Sequence, residues 1–126
     1  MKTGDEWEMP EGPARAEPVE ICRASNFIRD HLGEKLSLKQ IAKVANICPT
    51  YLSEKFKEVT GENLVRYITR ARVQHAEALL RSERRRVSEI AFAVGFQSLS
   101  QFNRVFKKLR SKTPSQLRDE WREGGA

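Results

Sequence analysis

The sequence contains the same pattern of residues twice. The first part of the pattern is repeated at a spacing of 49, where Ile41, Ala42, Asn46 and Ile47 are matched by Ile90, Ala91, Gly95 and Phe96. The second part is repeated at a spacing of 50, where Leu52, Phe56 and Lys57 are matched by Phe102, Phe106 and Lys107. The second copy is therefore one residue longer after its turn. A repeat of this kind restricts the fold to two related units, each with a short helix, a tight turn and a second helix.

The composition is typical of one modest soluble domain. The chain has 126 residues, of which 39% are hydrophobic, and no apolar run is long enough to span a membrane. No segment alternates apolar and polar residues as a strand would, so we expect an all-α fold. Two cysteines, Cys22 and Cys48, are too few for a disulfide framework or a complete zinc site, which favours a reducing cytoplasm.

The charge is concentrated in the body of the chain. Residues 1–20 contain two basic and six acidic side chains, a net charge of −4, so residues 21–126 carry +10 and the whole chain +6. A compact cationic body attracts a polyanion such as DNA, RNA or an anionic membrane surface, and charge alone does not distinguish these partners. Residues 1–18, with their prolines and acids, are predicted to be a flexible acidic tail or linker.

Seven helices are predicted in the body. Their approximate ranges are Val19 to Leu32, Leu38 to Ala45, Pro49 to Thr60, 63 to 81, Val87 to Val94, Leu99 to Leu109, and a last helix that begins at Pro114. We divide them into a first helix-turn-helix unit at 19–62, a linker helix at 63–81 and a second unit at 82–122. The last helix is expected to dock Leu117 and Trp121 on the second unit.

Turn and capping residues indicate where the helices end. Gly33 is expected to end the first helix, Ser37 to cap the second, and Gly61 to end the third. Asn46 tolerates the left-handed conformation that Gly95 adopts without strain, so the two turns are predicted to be physically equivalent.

The predicted linker helix is roughly 25 to 28 Å long at 1.5 Å per residue, and we interpret it as a spacer between the two units. Its apolar positions at helical spacing are Leu64, Tyr67, Ile68, Ala71, Ala78 and Leu79.

Projection at 100° per residue separates two sides on the second helix of each unit. In the first unit, Leu52, Phe56 and Val59 share one side, and Thr50, Ser53, Glu54 and Lys57 lie opposite. In the second unit, Phe102, Phe106 and Leu109 share one side with Val105 adjacent, and Ser100, Asn103, Arg104 and Lys107 lie opposite. Core packing constrains only the apolar side, so the matched polar sides favour a binding function over a purely structural one.

The polar sides have different chemistry. Arg104 can donate to guanine O6 and N7, and Asn103 can pair with adenine N6 and N7. Thr50 and Ser53 suit base edges or phosphate, whereas Glu54 can accept from cytosine N4 but repels phosphate. Residues 63–118 contain 13 basic and 3 acidic side chains, which places most of the attraction for a polyanion in and before the second unit. Predicted phosphate contacts are Lys57, Lys107, Lys108 and the run Arg84, Arg85 and Arg86, although that run also suits a helix dipole.

The second unit closely resembles the signature of AraC/XylS-type transcription regulators. The resemblance is carried by the run from Val87 through Gly95, Phe96, Phe102 and Phe106 to Lys107, and by Lys112-Thr-Pro114-Ser-Gln-Leu117-Arg118. The first unit, with Tyr51-Leu-Ser-Glu-Lys-Phe56-Lys and Thr60-Gly61, resembles the family's less uniform first helix-turn-helix. The match covers roughly residues 19–122.

The resemblance implies a monomeric domain that places two recognition helices in successive major grooves of double-stranded DNA. By position it places Thr50, Ser53, Glu54, Leu99, Ser100, Asn103 and Arg104 at the bases. It also implies partners in the full-length protein, namely RNA polymerase or a fused sensing domain, so the chain is either a fragment or a small stand-alone regulator. Cys48 departs from the family where a capping Ser is frequent, and Asn46 departs where Gly is frequent.

Other functions are weighed against this one. A nonspecific or architectural nucleic-acid-binding protein is the main alternative, and a helix-turn-helix that binds another protein is a third. Cys48 near a helix N-terminus suits either a redox-sensitive thiol or a buried inert one. His31 and His75 have no companion ligands, so neither metal nor cofactor is expected. An enzyme is not expected, because the sequence has no phosphate-binding loop, nucleophile elbow or plausible pair of catalytic carboxylates.

Overall fold

The computed structural model describes residues 18–125, with side chains described to residue 122. This part of the chain contains seven helices and no strand, which confirms the predicted all-α fold. The helices are α1 (Val19–Asp30), α2 (Leu38–Ala45), α3 (Pro49–Thr60), α4 (Leu64–Ser82), α5 (Val87–Ala93), α6 (Leu99–Arg110) and α7 (Pro114–Gly125). The predicted acidic tail lies, except for Pro18, outside the described residues.

The described residues form two compact units. Unit 1 contains residues 18–30 and 36–66, and unit 2 contains residues 31–35 and 67–125. The division falls within α4, so the predicted linker helix does not form a part of its own. Its first three residues belong to unit 1 and the remainder belongs to unit 2.

Unit 1 is built on α1, α2 and α3, which pack against one another. Its core consists of small and medium-sized apolar side chains around one aromatic ring. The buried residues are Ile21, Ala24, Ile28, Ile41, Ala42, Ala45, Leu52, Phe56 and Leu64. Burial of this apolar surface, at about 25 cal/mol per Å², is the main source of stability for the unit.

Unit 2 has an aromatic core. Its buried residues are Val73, Ala76, Leu80, Ile90, Ala91, Val94, Phe96, Phe102 and Phe106. Leu117 and Trp121 of α7 pack against this cluster, as predicted. The predicted apolar stripe of α4 was partly wrong in its second half: Leu79 packs against this cluster, but Ala78 is exposed, and the fully buried positions there are Val73, Ala76 and Leu80. Ala76 is buried in one cluster with residues of α5 and α6, which the spacing of apolar residues within α4 does not reveal.

Most predicted helix ends are confirmed. The Ser37 hydroxyl accepts a hydrogen bond of 3.1 Å from the Gln40 amide at the start of α2. Asn46 ends α2 in the left-handed conformation with φ 64°, and Gly61 ends α3 with φ 86°. The prediction for Gly33 was wrong, because α1 ends at Asp30.

Gly33 is required for a different reason, which is close packing within unit 2. A Cβ atom at this position would lie 2.6 Å from the Ala93 carbonyl oxygen, at the end of α5. The neighbouring backbone is held by Arg72 of α4, whose Nε donates to the Leu32 carbonyl at 3.0 Å and whose Nη2 donates to the Glu34 carbonyl at 2.8 Å. Burial lowers the pKa of the Arg72 guanidinium. Residues 31–35 are thereby fixed to unit 2 although they precede α2 in the chain.

The two turns share a left-handed backbone but differ in their surroundings. Gly95 has φ 108°, and a Cβ atom there would lie 2.2 Å from the Leu32 carbonyl oxygen and 2.6 Å from Arg72 Nε. Asn46 occupies the equivalent turn of unit 1 with its side chain exposed. The predicted equivalence of the two turns therefore holds for the sign of φ. It does not hold for their surroundings, because a side chain is accommodated at Asn46 and would collide at Gly95.

This difference predicts opposite responses to exchanging the turn residues. Gly95→Asn is expected to destabilise the protein by about 2 to 3 kcal/mol, because the new side chain collides with backbone and adopts a strained φ. Asn46→Gly is expected to change stability by less than about 1 kcal/mol, since Asn and Gly both adopt this conformation. Urea denaturation followed by circular dichroism measures both, and equal effects of the two substitutions would contradict the role of the Leu32 carbonyl.

Candidate nucleic-acid interface

The polar side of α3 is exposed in unit 1. Pro49 occupies the first turn, where its missing amide hydrogen costs nothing, and Gly61 ends the helix. Leu52 and Phe56 are completely buried, and this fixes the rotation of the helix about its axis. The predicted contact residues Thr50, Ser53, Glu54 and Lys57 consequently lie in solvent.

The buried side of α6 holds an aromatic row in unit 2. The ring centroids of Phe96 and Phe102 are 5.1 Å apart, and those of Phe102 and Phe106 are 5.5 Å apart, both pairs tilted by nearly 60°. These distances and angles are favourable for aromatic pairs. Val105 is half-buried, but Leu109 is 37% exposed, so its predicted place on the buried side was wrong. Leu109 lies in the last turn, beyond the aromatic row.

The opposite side of α6 is polar and cationic. Ser100, Arg104, Lys107 and Lys108 are exposed, and Asn103 is half-buried. Leu99 in the first turn is 37% exposed, although it is apolar. The helix contains no acidic residue, so nothing on α6 itself opposes the approach of an anion.

The polar side of α3 has a mixed charge. The helix carries Glu54 and Glu58, and the Glu58 carboxylate lies 3.2 Å from Lys55 Nζ. An exposed pair of this kind contributes little to stability, but it reduces the positive potential along the helix. The two polar sides therefore match in position and differ in electrostatics, as the sequence predicts.

The three consecutive arginines lie between α4 and α5 in unit 2 and are all exposed. Arg85 Nε donates to the Glu83 carboxylate at 2.7 Å. The backbone amide of Arg86, at the N-cap of α5, donates to the Glu89 carboxylate at 3.0 Å. Arg84 and Arg86 thus differ from Arg85, because no carboxylate among the described residues engages their guanidinium groups.

One pair of exposed positions was not predicted from the sequence. Tyr51 of α3 is 44% exposed beside Thr50, and Gln101 of α6, 50 residues later, is exposed as well. A tyrosine within an apolar pattern is readily taken for core. The polar residue at the matching position of the repeat is the signal that both side chains face outward.

Other kinds of site find little support in residues 18–125. No group of three or more His, Cys, Asp or Glu side chains in this range is arranged to hold a metal ion. No helix there combines the length and the apolar character needed to cross a membrane. Cys48 is exposed, so the interpretation as a buried thiol was wrong.

Helices α2 and α3 and helices α5 and α6 make this chain a double helix-turn-helix domain. The sequence model of a helix-turn-helix domain family matches residues 41–120. The chain belongs to the AraC/XylS-type family of regulators, as its sequence resemblance implies.

Similar proteins include a regulator and two solved domains. The chain is 41% identical over 110 residues to the uncharacterized transcriptional regulatory protein YesN of Bacillus subtilis, covering 84% of this chain and 29% of YesN. It is 32% identical to the C-terminal domain of AraT, a response regulator from Geobacillus stearothermophilus, with a TM-score of 0.76, covering 79% of this chain and 84% of that one.

The DNA-binding domain of the transcriptional factor AdpA, solved in complex with a target DNA, shares the fold. Its TM-score is 0.80 at 22% identity, covering 84% of this chain and 96% of that one. The chain spans a much smaller share, between 25% and 39%, of the first curated relatives that it matches.

The N-cap residues of α3 and α6 differ, and substitutions at these residues test what each contributes to stability. Ser98 accepts a hydrogen bond of 3.1 Å from the Gln101 amide, whereas Cys48, at the same place before α3, makes no side-chain cap. Cys48→Ser is expected to raise the free energy of unfolding by up to about 1 kcal/mol, and Ser98→Ala to lower it by about 1 kcal/mol. Urea denaturation measures both, and a neutral Ser98→Ala would show that this cap does not contribute.

Proposed function

We propose that this chain binds double-stranded DNA at specific sequences and so regulates transcription, with α3 and α6 as its recognition helices. The observation that carries the proposal is the exposed side of α6, where Arg104, Lys107 and Ser100 lie opposite two completely buried phenylalanines. The same arrangement of exposed and buried residues occurs on α3. Membership of a family of helix-turn-helix regulators supports the proposal, and the AdpA domain, similar in fold, is known with DNA.

The roles of individual side chains follow from their chemistry. A B-DNA major groove is about 12 Å wide and admits one helix, whose exposed side then meets the base edges. Arg104 and Asn103 are assigned to bases in unit 2, together with Leu99 and Ser100. Thr50, Ser53 and Glu54 are assigned to bases in unit 1.

Exposed cations that are not assigned to bases are assigned to phosphate. They are Lys57, Lys107, Lys108, Arg84, Arg85 and Arg86. Such contacts provide affinity without sequence preference, because every phosphate is alike.

The proposal extends to the full-length protein in the cytoplasm. We propose that the DNA-binding part acts as a monomer, that each helix enters one of two successive major grooves, and that a separate sensing domain and RNA polymerase are its partners. The small share of the relatives' length that the chain spans is compatible with a further domain in the whole protein.

Selection from a pool of random duplexes tests the function directly. We expect one enriched, asymmetric site of roughly 20 base pairs, about two helical turns. Binding with a steep salt dependence but no enriched sequence would support an architectural protein instead. A lack of duplex binding at low salt would favour a protein-interaction module, and a palindromic site would contradict the monomer.

Arg104 provides a test of base recognition. Arg104→Ala is expected to cost about 1 to 3 kcal/mol on the selected site and to relax one base position, since a bidentate pair with guanine is lost. Arg104→Lys is the matched control that keeps the charge but not the fork. Fluorescence anisotropy on the selected and single-base-changed duplexes measures the discrimination. If Arg104→Lys retains full discrimination, or if Arg104→Ala weakens every sequence equally, Arg104 contacts phosphate.

Lys107 provides a test of phosphate contact. Lys107→Ala is expected to weaken binding to all duplexes similarly and to reduce the slope of log K against log salt by about one unit. Lys112→Ala is the control, because it removes the same charge from a side chain that lies beyond the end of α6 and pairs with Glu120. Titrations at several salt concentrations give both slopes. An unchanged slope for Lys107→Ala would remove this residue from the interface.

A further inference from the structure

Arg118 of α7 is a buried charged residue to which the proposed function assigns no role. It is only 8% exposed, yet its guanidinium lies against backbone rather than against a carboxylate. Nε donates to the Leu80 carbonyl at 3.1 Å, Nη1 to the Arg85 carbonyl at 2.7 Å and Nη2 to the Glu83 carbonyl at 2.7 Å. All three guanidinium nitrogens of Arg118 therefore donate hydrogen bonds to the end of α4 or to the segment 83–86 that follows it.

These three hydrogen bonds are made to one carbonyl in the last turn of α4 and to two carbonyls beyond the helix. Leu80 lies in the last turn of α4, where backbone carbonyls have no intrahelical partner, and a cationic side chain there is favourable. The Glu83 and Arg85 carbonyls lie beyond the helix. Burial and then the neighbouring charge of Arg122 lower the pKa of Arg118.

Several other polar groups of the segment are also engaged. The Glu83 amide donates to the Leu79 carbonyl at 2.8 Å, and the Arg86 carbonyl accepts from the Ile90 amide at 3.0 Å. The Glu83 carboxylate engages Arg85, and the Glu89 carboxylate engages the Arg86 amide. The segment therefore has a defined backbone with exposed Arg84 and Arg86 side chains on it.

We infer that Arg118 is a positioning residue for DNA binding, which holds segment 83–86 so that Arg84 and Arg86 meet phosphate together. The inference rests on the proposed function and deepens it, because it gives α7 an indirect role in binding the DNA backbone. Charge-assisted hydrogen bonds to carbonyls fix the segment before DNA arrives. The conformational entropy of the segment is then lost when the protein folds, and not when Arg84 and Arg86 bind phosphate.

A double-mutant cycle tests the inference in the whole chain. Arg118→Lys keeps the charge, but its single ammonium nitrogen cannot reach the three carbonyls that Nε, Nη1 and Nη2 contact separately. It is expected to weaken binding to the selected duplex on the order of tenfold and to reduce the salt slope by about one to two units. In an Arg84→Ala, Arg86→Ala background, the same Arg118→Lys change is expected to have almost no further effect on affinity or slope.

Arg110→Lys is the matched control. Arg110 is a half-buried arginine of the same unit whose Nε donates to the Glu77 carboxylate at 3.0 Å. It holds no part of segment 83–86, so its conservative replacement is expected to leave the salt slope unchanged. Thermal denaturation establishes that each variant is folded at the temperature of the binding assay.

A second variant keeps Arg118 and loosens the segment. Insertion of two glycines between Arg84 and Arg85, whose side chains are both exposed, preserves every charge and every core residue. It is expected to reproduce the loss of slope seen for Arg118→Lys, and it decides the matter if Arg118→Lys does not fold.

The outcomes separate the inference from the proposed function. A wild-type chain that binds no duplex would overturn both. Specific binding by the wild type, with an equal loss from Arg118→Lys in both backgrounds or a normal slope in the glycine variant, would overturn the role of Arg118 alone.

Discussion

The structure depends on the burial of one side of each recognition helix. Leu52 and Phe56 of α3, and Phe102 and Phe106 of α6, are completely removed from solvent. Because successive residues of a helix are rotated by about 100°, burial of these four side chains determines which other residues are exposed. The proposed binding faces are thus a consequence of core packing. A change in the aromatic core would turn the polar side, and so affect recognition without touching a contact residue.

The two copies of the repeat have kept this relation between buried and exposed sides while differing in detail. Unit 2 has a capped α6, a turn crowded by neighbouring backbone and no acid on its recognition helix. Unit 1 has no side-chain cap on α3, an exposed residue in its turn and two glutamates on the corresponding helix. These differences point in one direction, since a more rigid and more cationic helix is better suited to strong binding. Unit 2 is therefore the better candidate for the main source of affinity.

Much of the fold could be predicted from the sequence because helix periodicity and capping are local. The starts of α2 and α3, the turns at Asn46 and Gly61 and the exposure of Thr50 and Arg104 all follow from residues a few positions apart. The failures concern packing between distant segments. The role of Gly33 depends on the Ala93 carbonyl, and the burial of Ala76 depends on aromatic rings far along the chain. The engagement of Arg118 with three carbonyls depends on the path of a loop, which no pattern of neighbours reveals. The assignment of individual side chains to bases or phosphates stays a prediction.

The attachment of residues 31–35 to unit 2 has a consequence for how this protein can be divided. The Leu32 and Glu34 carbonyls accept from Arg72, and the Leu32 carbonyl also fills the space beside Gly95. A fragment that starts at α4 would retain every residue of the second helix-turn-helix and yet lack these acceptors. The Arg72 guanidinium would lose two hydrogen-bond acceptors, and the turn at Gly95 would lose the carbonyl that packs against it. Moving the second helix-turn-helix into another protein therefore requires residues 31–35 as well, although they lie between α1 and α2 in the chain.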